Sequence, residues 1–203
     1  MRLIFSDPGA YPGSRAIFLD RDGVINRRVI GDYVRHWQNF SFLPGVLRAV
    51  RALSAIPVPI IVVSNQAGVA KGLMSERDLR ELTFAFTDAF ASYGGRIDSV
   101  YYCLHHPDKR CDCRKPRSGL LRQAAREWGL NLTECFMIGD SESDIIAGAS
   151  VGCKTILIGG GPDPQLNIRE WGCISAENLS EACDLLLSSM SSAKPPTMLQ
   201  VTL

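Results

Sequence analysis

Five short, largely apolar runs constrain the chain more than any other feature: residues 16–19, 60–63, 99–103, 135–138 and 155–158. Each is too short for a buried helix and has the length of a strand covered on both faces. Between and after them lie stretches with helical spacing of apolar residues. Val46, Leu47, Val50 and Leu53 form a stripe over residues 44–55, and Leu79, Leu82, Phe86 and Phe90 form another over 75–93, which opens with the capping-box pattern Ser75-Glu76-Arg77-Asp78. Further helices are expected over 118–128, 141–149 and 179–190. Strands alternating with helices at this spacing predict an α/β chain with a mainly parallel sheet between two helical layers. Ligands in such sheets bind outside the carboxyl ends of the strands.

The chemically suggestive residues fall at those ends. The first run passes into Asp20-Arg21-Asp22-Gly23-Val24. Side chains two apart on extended backbone share a side, so Asp20 and Asp22 are expected to face one small volume. Like charges that close repel, and one pKa rises unless a cation neutralises them; Mg²⁺, a hard ion, takes oxygen ligands. The pair also suits divided labour, one carboxylate as nucleophile and the other handling protons. The second run ends at Ser64-Asn65-Gln66-Ala67-Gly68, where a hydroxyl and the N–H groups of a glycine-bearing turn suit an anion; a turn that merely leads into a helix reads the same way. Arg114-Lys115-Pro116 offers a guanidinium fork and a point charge for phosphate oxygens, or a solvated surface pair. In Gly139-Asp140-Ser141-Glu142-Ser143-Asp144, the i, i+4 spacing stacks Asp140 and Asp144 on one face of a helix start, as caps or as metal ligands.

With 203 residues, the chain is expected to form one domain over 1–190, beginning with a turn-rich arm (1–14) and followed by a mobile tail (191–203). A net charge of +1 gives no electrostatic case for nucleic acid or an anionic membrane. The first fifteen residues lack the apolar core of a secretory signal, and the longest aliphatic run, 60–63, is far too short to span a bilayer. Seven cysteines is an odd count, and Cys103, Cys111 and Cys113 cluster within eleven residues beside His105 and His106. That favours a reduced, cytoplasmic setting and a structural Zn²⁺ on three thiolates and one imidazole over a disulfide framework. Cys135, Cys153, Cys173 and Cys183 are scattered and expected to pack.

Asp-x-Asp-Gly, then Ser64, then Lys115, then Gly-Asp-x-x-x-Asp, each at a strand end and in this order, resembles the haloacid dehalogenase (HAD) superfamily of phosphohydrolases. The resemblance implies a three-layer Rossmann-like HAD fold. It also implies that Asp20 attacks phosphorus to form an aspartyl-phosphate, while Asp22 protonates the leaving alkoxide and then activates water. Ser64 and Lys115 would hold phosphoryl oxygens, and Mg²⁺ would bind Asp20, the backbone carbonyl of Asp22, and Asp140, with Asp144 nearby. The zinc loop ending in Cys-x-Cys-Arg-Lys-Pro is similar to the histidinol-phosphatase and heptose-bisphosphate phosphatase branch, on whose pattern His105 joins the cysteines. The likeness runs over residues 16–160, and 20–26, 65–72 and 101–107 most resemble the heptose-bisphosphate members. Implied substrate contacts are Asn65, Gln66, Lys71 and Arg114.

Two positions depart from that pattern. Only five residues separate His105 from Cys111, a gap closer to histidinol phosphatases, and Ser141 stands where many heptose enzymes have a lysine. The intervals from Asp22 to Ser64 and from Ser64 to Lys115 leave no room for a large cap domain, so the site is expected to be open. Arg27, Arg28, Lys71 and Arg114 could gather charge there for a second phosphate, although Arg27 and Arg28 read rather as solvated surface. The expected function is Mg²⁺-dependent removal of the C7 phosphate from a heptose 1,7-bisphosphate by a monomer. Histidinol phosphate or another small sugar phosphate is the alternative substrate. A zinc-stabilised binding module without activity is the alternative of another class, and the intact set Asp20, Asp22, Ser64, Lys115 and Asp140 speaks against it.

Overall fold

In the computed structural model, which describes residues 1–159 and 172–191, the apolar runs become adjacent strands. They are β2 (Ile17–Leu19), β3 (Ile60–Asn65), β4 (Ser99–Cys103), β5 (Phe136–Gly139) and β6 (Lys154–Ile158). All five run parallel, with Leu19 opposite both Val62 of β3 and Ile138 of β5. Two further strands close the sheet, β1 (Arg2–Ile4) antiparallel to β4 and β7 (Ile174–Ala176) parallel to β6, in the order β1-β4-β3-β2-β5-β6-β7. The expectation that residues 1–14 form only a turn-rich arm is therefore corrected for its first residues. Three residues carry no readable period, and what makes them a strand is the neighbouring edge, where the terminal amine also donates to the Tyr102 carbonyl (3.1 Å).

The alternation of side chains across the pleat divides the core in two. Ile17, Leu19, Ile60, Val62, Val100, Tyr102 and Ile138 pack on one face with α1 (Val46–Leu53), α2 (Glu76–Ser92) and α5 (Leu179–Ser191). Phe18, Ile61, Val63, Tyr101, Cys103 and Met137 pack on the other with α3 (Gly119–Trp128) and Ala147 of α4 (Glu142–Ala149). Ser75 and Asp78 cap α2 reciprocally, at 3.0 and 2.8 Å. Helix α1 begins at Val46 rather than at residue 44, because Gly45 takes a left-handed conformation (φ +80°) just before it. Between Asp22 and Ser64 the chain forms one 3₁₀ turn, α1, most of β3 and loops. Of the tail expected to be mobile, Ser191 ends α5 and the rest lies outside the described residues.

At the amino ends of β3 and β4, away from the strand-end motifs, the buried Asp98 carboxylate gathers four donors. They are the Ile60 N–H (2.7 Å), the Ser6 hydroxyl (2.7 Å), the Tyr11 hydroxyl and Arg96 Nε (3.2 Å). Arg96 also donates to the carbonyls of Ser54, Ile56 and Val58. This clasp ties the residues after β1 to the loop before β3.

Candidate active site

From β2 the chain steps outward to β3 and β4, then crosses back and steps to β5, β6 and β7 on the other side. The reversal leaves a crevice beyond the carboxyl ends of β2 and β5, where α/β sheets bind ligands. Asp20 follows β2, Asp140 follows β5, and the Asp20 N–H donates to the Ile138 carbonyl at 2.9 Å. A cavity of ≈ 360 Å³, ample for a small molecule, opens there; Asp20, Asp22, Ser64, Asn65, Lys71 and Lys115 line it, as do Arg28, Tyr33, Ser141 and Ser143. Val29, Gly31 and Asp32 also line it, so the loop after Asn26 lies over the site.

Lys115 is buried at the centre. Its Nζ lies 2.8 Å from Asp20 Oδ1, 2.5 Å from Asp144 Oδ1 and 2.8 Å from the Val63 carbonyl. Asn65 holds the lysine backbone from both sides, donating to its carbonyl (3.0 Å) and accepting from its N–H (3.1 Å). Burial alone would lower the lysine pKa, but Asp144 and Asp20 outweigh it and raise the value. Asp144 is held in turn by the Ser141 N–H and hydroxyl, at 3.2 and 2.6 Å.

The two aspartates of the first motif have opposite surroundings. Burial pushes the Asp20 carboxyl up to about 7 against the pull of Lys115, and Asp144 and Asp22 add to the rise. Around Asp22 burial is overcome by three donors. Arg21 Nη2 reaches both carboxylate oxygens (3.0 and 2.9 Å), Asn26 Nδ2 reaches Oδ1 (2.9 Å) and Gln66 Nε2 reaches Oδ2 (2.6 Å), leaving the pKa below the ordinary aspartate value.

Carboxylate oxygens of Asp20, Asp140 and Asp144 lie within 4.8 Å of one another. Burial, with Asp144 adding and Arg28 opposing, pushes Asp140 up to about 6. The backbone passes this cluster so closely that a Cβ on Gly23 (φ +93°) would sit 1.8 Å from Asp140 Oδ2. Three hard oxygen donors, packed against a residue without a side chain, fit a small divalent cation. The Asp22 carboxylate is not in this group, being taken up by its three donors.

A second cluster lies on the loop after β4. The sulfurs of Cys103, Cys111 and Cys113 are 3.3–3.5 Å apart, and His105 Nδ1 is 3.1 Å from Cys113 Sγ and 3.9 Å from Cys103 Sγ. His106 lies outside the group and faces Asp108 at 3.2 Å. Four sulfurs around a tetrahedral zinc would sit about 3.7 Å apart, so this donor set fits that ion.

Other residues read from the sequence as substrate contacts sit differently. Gln66 is fully buried and off the cavity wall, donating to Asp22 and to Ser64 Oγ (3.0 Å). The amide next to a strand end is taken up by those two wall residues and so does not face the cavity itself. Arg114 is half-buried and does not line the cavity, whereas the exposed Lys71 does, its Nζ 5.4 Å from the Tyr33 ring centroid. Arg28, read as solvated surface, instead lines the cavity and pairs with Asp140. The sequence reading also missed the role of Arg21, whose only signal is its place between two acids, and of Asn26, four residues after Asp22.

Comparison with known proteins gives consistent relatives. A family model described as HAD-hydrolase-like matches residues 112–182. The D-glycero-alpha-D-manno-heptose-1,7-bisphosphate 7-phosphatase of Mycobacterium tuberculosis (strain CDC 1551 / Oshkosh) is 45% identical over 150 residues, covering 71% of this chain and 79% of that protein. The D-glycero-beta-D-manno-heptose-1,7-bisphosphate 7-phosphatase of Haemophilus ducreyi is 33% identical over 190 residues, covering 90% of this chain and 98% of that one. Among solved structures, the D,D-heptose 1,7-bisphosphate phosphatase of B. bronchiseptica, complexed with magnesium and phosphate, matches with a TM-score of 0.78 and 32% identity, over 86% of this chain and 99% of that chain.

Proposed function

The chain belongs to the haloacid dehalogenase superfamily of phosphatases, as a close relative of the heptose-1,7-bisphosphate 7-phosphatases, and on that premise we propose how its residues remove the 7-phosphate of D-glycero-D-manno-heptose 1,7-bisphosphate. The observation that carries the assignment of roles is the contrast between Asp20, facing Lys115 and two other carboxylates, and Asp22, locked by Arg21, Asn26 and Gln66. Two carboxylates with diverging environments are suited to two roles.

Asp20 attacks phosphorus, forming its own bond to phosphorus as the bond to the sugar oxygen breaks, and Asp22 delivers a proton to the departing alkoxide. Arrival of a dianionic phosphoryl group beside Asp22 raises that carboxyl's proton affinity, so a group that rests ionised can serve as the acid. Asp22 then takes a proton from the water that attacks the aspartyl-phosphate, which frees inorganic phosphate and restores Asp20. Lys115 and Ser64 hold phosphoryl oxygens, with Asp144 keeping the lysine in place. Asp20, Asp140 and the backbone carbonyl of Asp22, with Asp144 nearby, would hold Mg²⁺, which would supply charge neutralisation for the transferring group.

Cys103, His105, Cys111 and Cys113 form a closed Zn²⁺ site in the same scheme. A closed site has no open position for substrate, so zinc would shape the loop that carries Arg114 and delivers Lys115 to the cavity. Residues 1–190 act as one domain with a complete set of site residues in a single chain, which suits a monomer, and the free thiols suit the cytoplasm.

The test is kcat/KM, with Mg²⁺, for both anomers of the heptose bisphosphate against histidinol phosphate. The expected preference for a bisphosphate is at least about tenfold, or about 1.4 kcal/mol; a preference for histidinol phosphate, or no turnover of any, rejects the assignment. A fluoride mimic of the adduct should be found on Asp20 by crystallography.

A further inference from the structure

We infer that Arg28 receives the second phosphate of the bisphosphate, and that metal binding frees it to do so because the two cations compete for Asp140. The inference rests on the function proposed above and adds to it the residue that selects a doubly phosphorylated substrate.

Among the described residues, three basic ones line the cavity, Arg28, Lys71 and Lys115. Lys115 is buried and engaged with Asp20 and Asp144, where the transferred phosphoryl group reacts. The other phosphate must therefore meet its charge elsewhere on the wall. Ser141, directly after Asp140, is neutral, and Lys71 is a point charge lying over the Tyr33 ring. Arg28 carries the planar fork that grips phosphate through two nitrogens. Its neighbour Arg27 is exposed, is absent from the wall and is fixed there through its N–H to the Ser41 carbonyl (2.8 Å).

The present partner of Arg28 is informative. A single nitrogen, Nη2, lies 2.9 Å from Asp140 Oδ1 and 2.7 Å from Oδ2, between the two oxygens. Asp140 belongs to the carboxylate cluster that fits a divalent cation, so the guanidinium and the ion would draw on the same two oxygens. Two cations so close on one carboxylate repel. The side chain of Arg28 is 51% exposed and that of Asp140 14%, and an ion pair so open to water is weak, so the divalent ion displaces the guanidinium. The displaced fork finds no vacant acid on its own loop, because Asp32 is already paired with Arg35 at 2.6 Å. It is left at the cavity wall with an unmatched positive charge when the substrate arrives.

Arg28→Gln keeps a polar side chain at an exposed position and removes the charge; Arg27→Gln is the control. Calorimetric titration with Mg²⁺ in the absence of substrate should show tighter binding for Arg28→Gln, by about threefold or more, because its competitor is gone. With Mg²⁺ saturating, kcat/KM on the heptose bisphosphate should fall by about tenfold or more, while kcat/KM on the heptose 7-monophosphate stays within about twofold. Arg27→Gln should match the wild type in both measurements. An equal fall on both substrates, no fall on the bisphosphate, or unchanged or weaker Mg²⁺ binding would each overturn the inference. If the wild type itself turned over no bisphosphate, the functional proposal would fall and this one with it. A wild type that prefers the bisphosphate and a variant that keeps the preference would remove Arg28 alone.

Discussion

Arg21 is fully buried, stacks 5.9 Å from the Tyr102 ring centroid and directs Nη2 at both oxygens of Asp22. A guanidinium with no access to water needs its counter-charge, and here that charge is the carboxylate proposed as acid and base. Replacing Arg21 with Met should destabilise the fold by about 3–5 kcal/mol, because it leaves the Asp22 charge buried without its main partner. Activity should fall mostly in kcat, since the loss concerns the orientation of Asp22 rather than substrate affinity. Urea unfolding and steady-state kinetics measure the two effects; unchanged stability would mean that Asn26 and Gln66 suffice to hold the carboxylate. Nothing in the string Asp20-Arg21-Asp22 distinguishes this inward arginine from a solvated one. Asp20, Ser64 and Asp140, by contrast, could be picked out because each stands one or two residues past an apolar run.

The segment from Cys103 to Lys115 joins two clusters. Cys113 belongs to the thiol group, and two residues later Lys115 reaches Asp20 and Asp144. Stripping a bound zinc should therefore loosen the lysine and lower activity, while the sheet and helices remain. Hydrogen exchange of residues 103–117, with and without a chelator, should show protection lost there first; loss spread evenly over the chain would contradict it. Elements with a long apolar period, such as α2 and β3, were readable from the sequence at nearly their observed limits. Strands β1 and β7 were not, since three residues of mixed exposure become a strand only when an edge is present to pair with them.

At the scale of the whole molecule the two ends of the sheet do different work. Asp98 and Arg96 clasp the amino ends, and Asp98→Ala should cost about 3–5 kcal/mol of stability by leaving Arg96 without its buried partner. Its KM, measured below the unfolding transition, should stay near that of the wild type; a large change would mean that strain crosses the sheet. At the carboxyl ends, Asp20 and Asp140 have pKa values raised from 3.8 to about 7 and about 6 when no metal is bound. The folded chain then binds more protons than the unfolded chain within that window, so the metal-free protein loses stability as pH rises through it. Mg²⁺ binds the ionised carboxylates, so its stabilising shift in Tm should be larger near about pH 7.5 than near about pH 5. A shift independent of pH would count against these carboxylates as the metal site. The sequence by itself determined the strands that carry the site, the helices that cover them and the residues standing at the strand ends, because run length, periodicity and capping are local properties. Only the tertiary structure decided which charges meet. Arg28 and Asp140 are 112 residues apart, and β2 lies between β3 and β5 only because the chain reverses direction. Coulomb forces and hydrogen bonds depend on distance in space, which separation along the chain does not encode.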